Sequence, residues 1–132
     1  MSRDRRHRDQ RGTSILEFIV VLPTLLVVLF AIVELSRAWL TLNIVTTAVR
    51  EGARVGVVTN PFDPTPAIAR INNVLGSANL IADSVSVTCT GPCDRGSEVR
   101  ADVTVTFQTL FPVFLPMLQT LPMQQRASMR YE

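Results

Sequence analysis

The sequence predicts an α+β protein in which a long N-terminal helix crosses a membrane and carries a small extracytoplasmic head. Three observations predict this class. A nearly uninterrupted aliphatic block fills residues 15–35. A proline-rich stretch, "TNPFDPTP" at residues 59–66, then breaks the helical pattern. In the last third of the chain the apolar period becomes the two-residue alternation of strands. We therefore expect the long transmembrane helix to be followed by a second helix and a short antiparallel sheet.

The length, composition and net charge fit one small domain and disfavour several classes of function. The chain has 132 residues, of which only 18% are charged, whereas soluble domains average about 25%. A formal net charge of +2 is too small to indicate nucleic-acid binding. The single histidine, His7, stands far from both cysteines, and the sequence has no G-x-S-x-G motif or Gly-rich phosphate loop. We predict no enzyme activity, no cofactor and no metal.

The first twelve residues form a basic leader, and an apolar span follows it. The leader holds five arginines against two aspartates and is expected to be a disordered cytoplasmic tail. At about 1.5 Å per residue, residues 15–35 match a hydrocarbon core about 30 Å thick. The arginines before the span place the N-terminus in the cytoplasm and the head outside. A cleaved secretory signal is the alternative, but its apolar region should run only about 7 to 15 residues.

The helix is expected to continue beyond the span, over residues 36–58. Trp39 stands where an interfacial aromatic residue would, and Glu51 can pair with Arg54 three residues later. Apolar residues recur there at near-helical spacing: Leu40, Ile44, Ala48 and Val55. We therefore divide the chain into a leader (1–12), a transmembrane helix with its extracytoplasmic continuation (13–58) and a head domain (59–132).

The head should contain a short amphipathic helix and a hairpin. Residues 66–80 carry Ile68, Ile71, Val74 and Leu75 on one helical face. Asp63 or Thr65 could cap this helix. The runs "SVSVTCT" at 84–90 and "EVRADVTVTF" at 98–107 alternate apolar and polar residues on either side of a turn. One face of each run should therefore pack on the core.

The C-terminal stretch predicts a loop and then a third strand. Three prolines interrupt the apolar residues 110–122, which favours a loop packed on the core over a strand. A second membrane span is the weaker alternative. The final run, "MQQRASMRYE" at 123–132, places Met123, Ala127, Met129 and Tyr131 on one parity, as a third strand beside the hairpin would.

Two cysteines, Cys89 and Cys93, flank the turn sequence "TGP". Two cysteines so close together in an extracytoplasmic segment predict a disulfide. The alternatives are two reduced thiols in a hairpin or a redox-active pair. Zinc would need about four nitrogen or sulfur ligands, which this region does not provide.

Glu17 is the residue in the apolar block that most needs an explanation. Acidic and basic side chains at the bilayer centre cost about 2.5–3.5 kcal/mol on insertion scales. Cleavage after Gly12 would give Thr13 a free amine, whose pKa is about 7.7–8.0 in water. Unit charges about 4 Å apart attract by about 4 kcal/mol at an effective dielectric constant of about 20. That amine could belong to the same chain or to a neighbouring subunit. The alternative is an edge residue whose carboxylate reaches water.

Several motifs together resemble the TadE-like family of pseudopilins of the tight-adherence (Tad, Flp-type) pilus. They are a basic leader, Gly12 before the cleavage site, Glu17 at the fifth mature position, Phe18 next to it, and Pro23, which favours a helix kink. Two further blocks are similar to the family, "VREGARVGVV" at 49–58 and "RASMRYE" at 126–132.

This resemblance implies a pseudopilin or minor pilin of a Tad-type pilus assembly. It implies processing by a prepilin peptidase between Gly12 and Thr13, and assembly through Glu17 and Phe18 of the N-terminal helix. The implied partners are other pilins and pseudopilins, the peptidase, the pilus assembly platform and membrane lipid, with no direct nucleic-acid partner. The implied location is the inner membrane, single-pass, or the pilus. The alternative is a permanently anchored single-span envelope protein whose outer domain binds a partner.

Overall fold

The computed structural model of the chain describes residues 4–110 and 120–130, with side chains from residue 14 onward. It confirms the α+β class, with a long N-terminal helix, a second helix and an antiparallel sheet. The elements in chain order are α1 (Asp4–Val58), α2 (Pro64–Ser77), β1 (Ser84–Thr90), β2 (Glu98–Gln108) and β3 (Thr120–Arg130).

Helix α1 runs over 55 residues with Pro23 inside it. It begins at Asp4, so the expectation of a disordered tail is wrong from Asp4 onward. Helix formation has a costly nucleus and then propagates one residue at a time. The long apolar helix provides that nucleus, which lets the preceding residues adopt the same conformation.

The internal contacts divide the chain into two units, Met1–Ser36 and Arg37–Glu132. The first unit is the part of α1 that contains the apolar block. The second unit, called the head below, contains the rest of α1, α2 and the sheet. The domain boundary predicted at residue 58 stays a prediction, but the end of α1 clearly contributes to the core of the head.

The face of α1 that packs in the head consists mainly of small residues. Leu40, predicted to lie on this face, is exposed, while Ile44 and Val55 are only partly buried. A β-carbon on Gly52 would collide with the Ile71 side chain of α2, and one on Gly56 would lie 2.9 Å from Val99 Cγ1 of β2. The packed face comprises Val45, Ala48, Val49, Gly52, Ala53 and Gly56.

Helix α2 is capped as the sequence predicts. Asp63 is the N-cap residue, and its carboxylate accepts a hydrogen bond from the Thr65 backbone N–H at 2.8 Å. The helix begins at Pro64, where a missing N–H costs no helical hydrogen bond. Its buried face consists of Ala67, Ile71 and Leu75, while Ile68 and Val74 pack at the edge of the core.

The three strands form one antiparallel sheet in the order β1-β2-β3. Ser84 lies opposite Thr104 in the first pair, and Gln108 lies opposite Thr120 in the second. The predicted alternation is confirmed, since the apolar positions of β2 are buried between exposed or half-buried polar ones. These buried positions are Val99, Ala101, Val103, Val105 and Phe107.

Strand β3 confirms the predicted third strand but begins earlier, at Thr120. The expectation of a loop up to Pro122 is therefore wrong for residues 120–122. Pro122 is tolerated because β3 is an edge strand of the sheet, where a residue without an N–H need not break a ladder. Residues 111–119, also predicted to be loop, lie outside the described residues.

Candidate processing and assembly site

The predicted processing site lies near the start of α1. The helix includes Gly12 and Thr13, whose side-chain positions lie outside the described residues. Glu17 is exposed and stands four residues after Thr13. Residues four apart on a helix share one face, with β-carbons about 5–6 Å apart. A charged amine at position 13 would thus be within reach of the Glu17 carboxylate.

The helix surface after Glu17 is apolar and bare. Among the described residues, α1 alone is long and apolar enough to cross a membrane, and none of its most apolar window is buried in the protein. Phe18 is exposed on this surface. Pro23 removes the N–H that would bond to the Ile19 carbonyl, and the Thr24 hydroxyl donates to the Val20 carbonyl at 3.3 Å. Such a surface needs lipid or other helices as its neighbours.

The segment at 49–58 has a different role, because it joins α1 to α2. The Arg70 Nε donates to a Glu51 carboxylate oxygen at 2.6 Å. The predicted partner of Glu51, Arg54, is therefore replaced by a residue of another helix. Sequence spacing on α1 alone could not identify Arg70. The close approach that Gly52 and Gly56 permit was also missed, and its available signal was the four-residue glycine spacing.

Cys89 and Cys93 lie at the far end of the β1–β2 hairpin. The structure joins them in a disulfide with their Cα atoms 5.8 Å apart. Gly91 and Gly96 have positive φ angles of 94° and 93°, which glycine adopts without a β-carbon clash. The pair closes the turn, and its oxidation in cells stays a prediction. Within residues 14–110 and 120–130, no cluster of three or more His, Cys, Asp or Glu side chains could hold a metal.

A family comparison bears on the N-terminal region. The family model described as TadE-like protein matches residues 12–54. This confirms the resemblance to the TadE-like family. The TadE-like segment begins at Gly12 and includes Glu17, Phe18 and Pro23. The match relates this segment to TadE-like proteins, and among the described residues α1 is the one helix that could anchor the chain in a membrane.

The rest of the chain is described by its fold alone. No curated protein and no solved structure matches the sequence. The block at residues 126–132, similar to the C-terminal strand of the family, lies outside the matched segment, and its assignment stays a prediction. The head is therefore understood from its own packing, with the TadE-like segment supplying one helix of its core.

Proposed function

We propose that this chain is a pseudopilin or minor pilin of a Tad-type pilus. A prepilin peptidase cleaves it after Gly12, and it assembles through its N-terminal helix. The supporting observation is that the TadE-like segment carries the carboxylate of Glu17 at the start of an apolar helical window, none of which is buried in the protein. The bare apolar surface requires neighbours, and the carboxylate gives them a register.

The physical step is a change of charge at one nitrogen. Before cleavage the nitrogen of Thr13 is a neutral amide; afterwards it is an amine that is mostly protonated at neutral pH. Glu17 then gains a counter-charge that was absent from the precursor. When the amine belongs to a neighbouring subunit, the attraction between them draws the two helices together. Removal of the leader arginines also takes away charges that would resist extraction from the membrane.

Apolar contacts would supply the remaining stabilisation between subunits. Phe18 presents a large exposed ring beside Glu17. Pro23 leaves one carbonyl of the helix without its usual donor, which favours a local bend. Interdigitation of such aliphatic helices requires no further charged group, and the span offers none between Phe18 and Val33.

The first test is the mass of the protein extracted from membranes of piliated cells. We expect a chain that begins at Thr13. The Gly12→Leu variant should stay uncleaved but still insert, because the apolar block is unchanged. An intact leader in piliated cells would contradict the proposal and favour the permanently anchored envelope protein.

The second test separates assembly from insertion. Glu17→Ala should insert and be cleaved yet fail to enter the pilus, measured by immunoblotting sheared pili against the membrane fraction. Thr24→Ala is the matched control, since it removes a polar group from the same exposed helix without changing charge. Equal incorporation of both variants would contradict the electrostatic account.

A further inference from the structure

Large exposed apolar side chains of the head are concentrated at one end of it. The described head exposes five of them: Trp39 at 66%, Leu40 at 60%, Val58 at 75%, Ile81 at 86% and Leu110 at 58%. All of these except Val58 lie at the end where α1 enters the head. Trp39, Leu40, Ile81 and Leu110 are called the membrane-proximal patch below.

Contacts within the head place Leu110 at this end. The Arg37 guanidinium carbon lies 5.3 Å from the centre of the Phe107 ring. Arg37 is the first residue of the head on α1, and Phe107 is near the last residue of β2, Gln108. Leu110 follows Gln108 by two residues, so it emerges where α1 begins its course through the head.

Ile81, in the segment between α2 and β1, lies at the same end of the head. Near its start α2 packs beside Gly56 through Ala67, and near its end Ser77 lines a groove with Asn43. Helix α2 therefore runs back along α1 towards Arg37. The Asp83 carboxylate then accepts a hydrogen bond from the Thr106 hydroxyl at 2.7 Å. Ile81, two residues earlier, precedes a strand that leads away from Phe107.

The charged residues of β2 and β3 are concentrated at the hairpin end of the sheet, away from the membrane-proximal patch. No charged residue occurs from Val103 to Gln125, which includes the strand ends at Gln108 and Thr120. At the hairpin end, Glu98 lies opposite Arg130, and Asp102 pairs with Arg126. The strand ends at Gln108 and Thr120 therefore bring no charge of their own towards an apolar medium, whereas the hairpin end does. Two charged side chains do lie at this end, Asp83 beside Thr106 and Arg37 over Phe107, and both must stay in the polar headgroup layer.

Chain connection brings this end close to the apolar span. At about 1.5 Å per residue, Trp39 and Leu40 lie about 6 to 8 Å beyond Leu35 along the helix. The interfacial layer on each side of the hydrocarbon core is about 5 to 8 Å thick. Trp39 and Leu40 therefore fall at headgroup depth, where aromatic side chains are enriched.

We propose that the head rests on the bilayer surface from which α1 emerges, with the membrane-proximal patch in contact with lipid. Ile81 and Leu110 give the head two lipid contacts in addition to its helix. This surface is separate from the apolar span and does not depend on pilus assembly. It restrains the head against the membrane.

The test uses the full chain in nanodiscs and the fact that Trp39 is the only tryptophan. In a Trp39→Phe background, Ile81→Trp and Leu110→Trp should lose about half of their fluorescence with brominated phospholipids and be shielded from acrylamide. Val58→Trp is the matched control, an exposed aliphatic position outside the patch. It should be quenched by acrylamide and unaffected by brominated lipid.

Two outcomes would overturn the proposal. If Ile81→Trp and Leu110→Trp behave like Val58→Trp, this end of the head lies in water. If both are shielded from both quenchers, protein covers the patch. Should the variants fail to fold, hydrogen exchange of the unmodified protein in nanodiscs gives the same comparison. Amides of residues 79–83 should then exchange at least tenfold more slowly in nanodiscs than in bilayer-free amphipol, with residues 91–96 unchanged, and equal rates would reject the lipid contact.

Discussion

Two stretches of helix α1 meet opposite requirements. Residues 14–33 carry large aliphatic side chains and expose them along nearly their whole length, whereas residues 41–56 bury a face made largely of alanine, glycine and valine. A helix in lipid needs apolar surface but no shape complementarity with the solvent. A helix in a protein core must approach its neighbours closely, and small residues permit that. One helix thus shows that hydrophobicity and packing are separate demands.

The largest expected effect on stability comes from truncating a buried side chain that packs against α1 in the head. Ile71→Ala should lower the free energy of unfolding of the head by about 2–5 kcal/mol, because Ile71 is fully buried against α1 and leaves a cavity. Denaturant unfolding of the full chain in detergent, followed by circular dichroism of the strand signal, measures this.

The matched substitution in the span is Ile19→Ala, which removes the same atoms from an exposed position. It should change the stability of the head by less than about 0.5 kcal/mol. Similar losses in the two variants would show that the two stretches are not packed differently, and the comparison would fail.

An intermediate effect is expected from adding one carbon where the helices approach. Gly52→Ala should cost about 1–3 kcal/mol, because the new β-carbon overlaps the Ile71 side chain. Gly76→Ala is the control, since nothing lies within 4 Å of a β-carbon there. It should instead stabilise the head by about 0.5–1 kcal/mol through helix propensity. Melting temperatures that shift in the same direction for both would contradict the close approach.

The smallest effect concerns Asp63, the N-cap residue of α2. Its carboxylate is exposed to water, unlike a carboxylate held in a membrane. The Thr65 backbone N–H donates to Asp63 and lowers the pKa of that carboxyl group. A lowered folded pKa means that the stabilisation is present above the unfolded pKa of about 3.9. It is lost as the pH falls through the lower folded value.

Asp63→Asn keeps a capping oxygen but cannot titrate. We therefore expect its melting temperature to fall slightly less than that of the unmodified protein as the pH is lowered through this window, while Asp63→Ala loses the cap at every pH. Identical acid dependence of Asp63→Asn and the unmodified protein would show that Asp63 does not carry this linkage.

The sheet and the cap of α2 were predictable because their signals are local. The alternation of Val99, Ala101 and Val103 specifies the buried face of β2 wherever the strand lies. The packed face of α1 was predicted poorly, since Leu40 is more hydrophobic than Gly52 but less able to approach another helix. The partner of Glu51 was missed because Arg70 comes near only when α2 folds back.

The candidate processing and assembly site was also only partly predictable from the sequence. The motif from Gly12 to Pro23 indicated a resemblance to the TadE-like family, and the family match over residues 12–54 confirms that resemblance. Cleavage, assembly and the roles of Glu17 and Phe18 stay predictions, since they depend on a peptidase and neighbouring subunits. The membrane-proximal patch could not be identified from sequence, because Ile81 and Leu110 reach the same end of the head only through the course of α2 and β2.

Because β3 is an edge strand, the backbone groups on its outer side could pair with a strand of a neighbouring head. Subunits gathered side by side would hold their heads at concentrations where open strand edges recruit one another into continuous sheets. Pro122 interrupts the donor row at one end of β3. In the polymer proposed above, heads packed side by side would therefore stay separate at their strand edges.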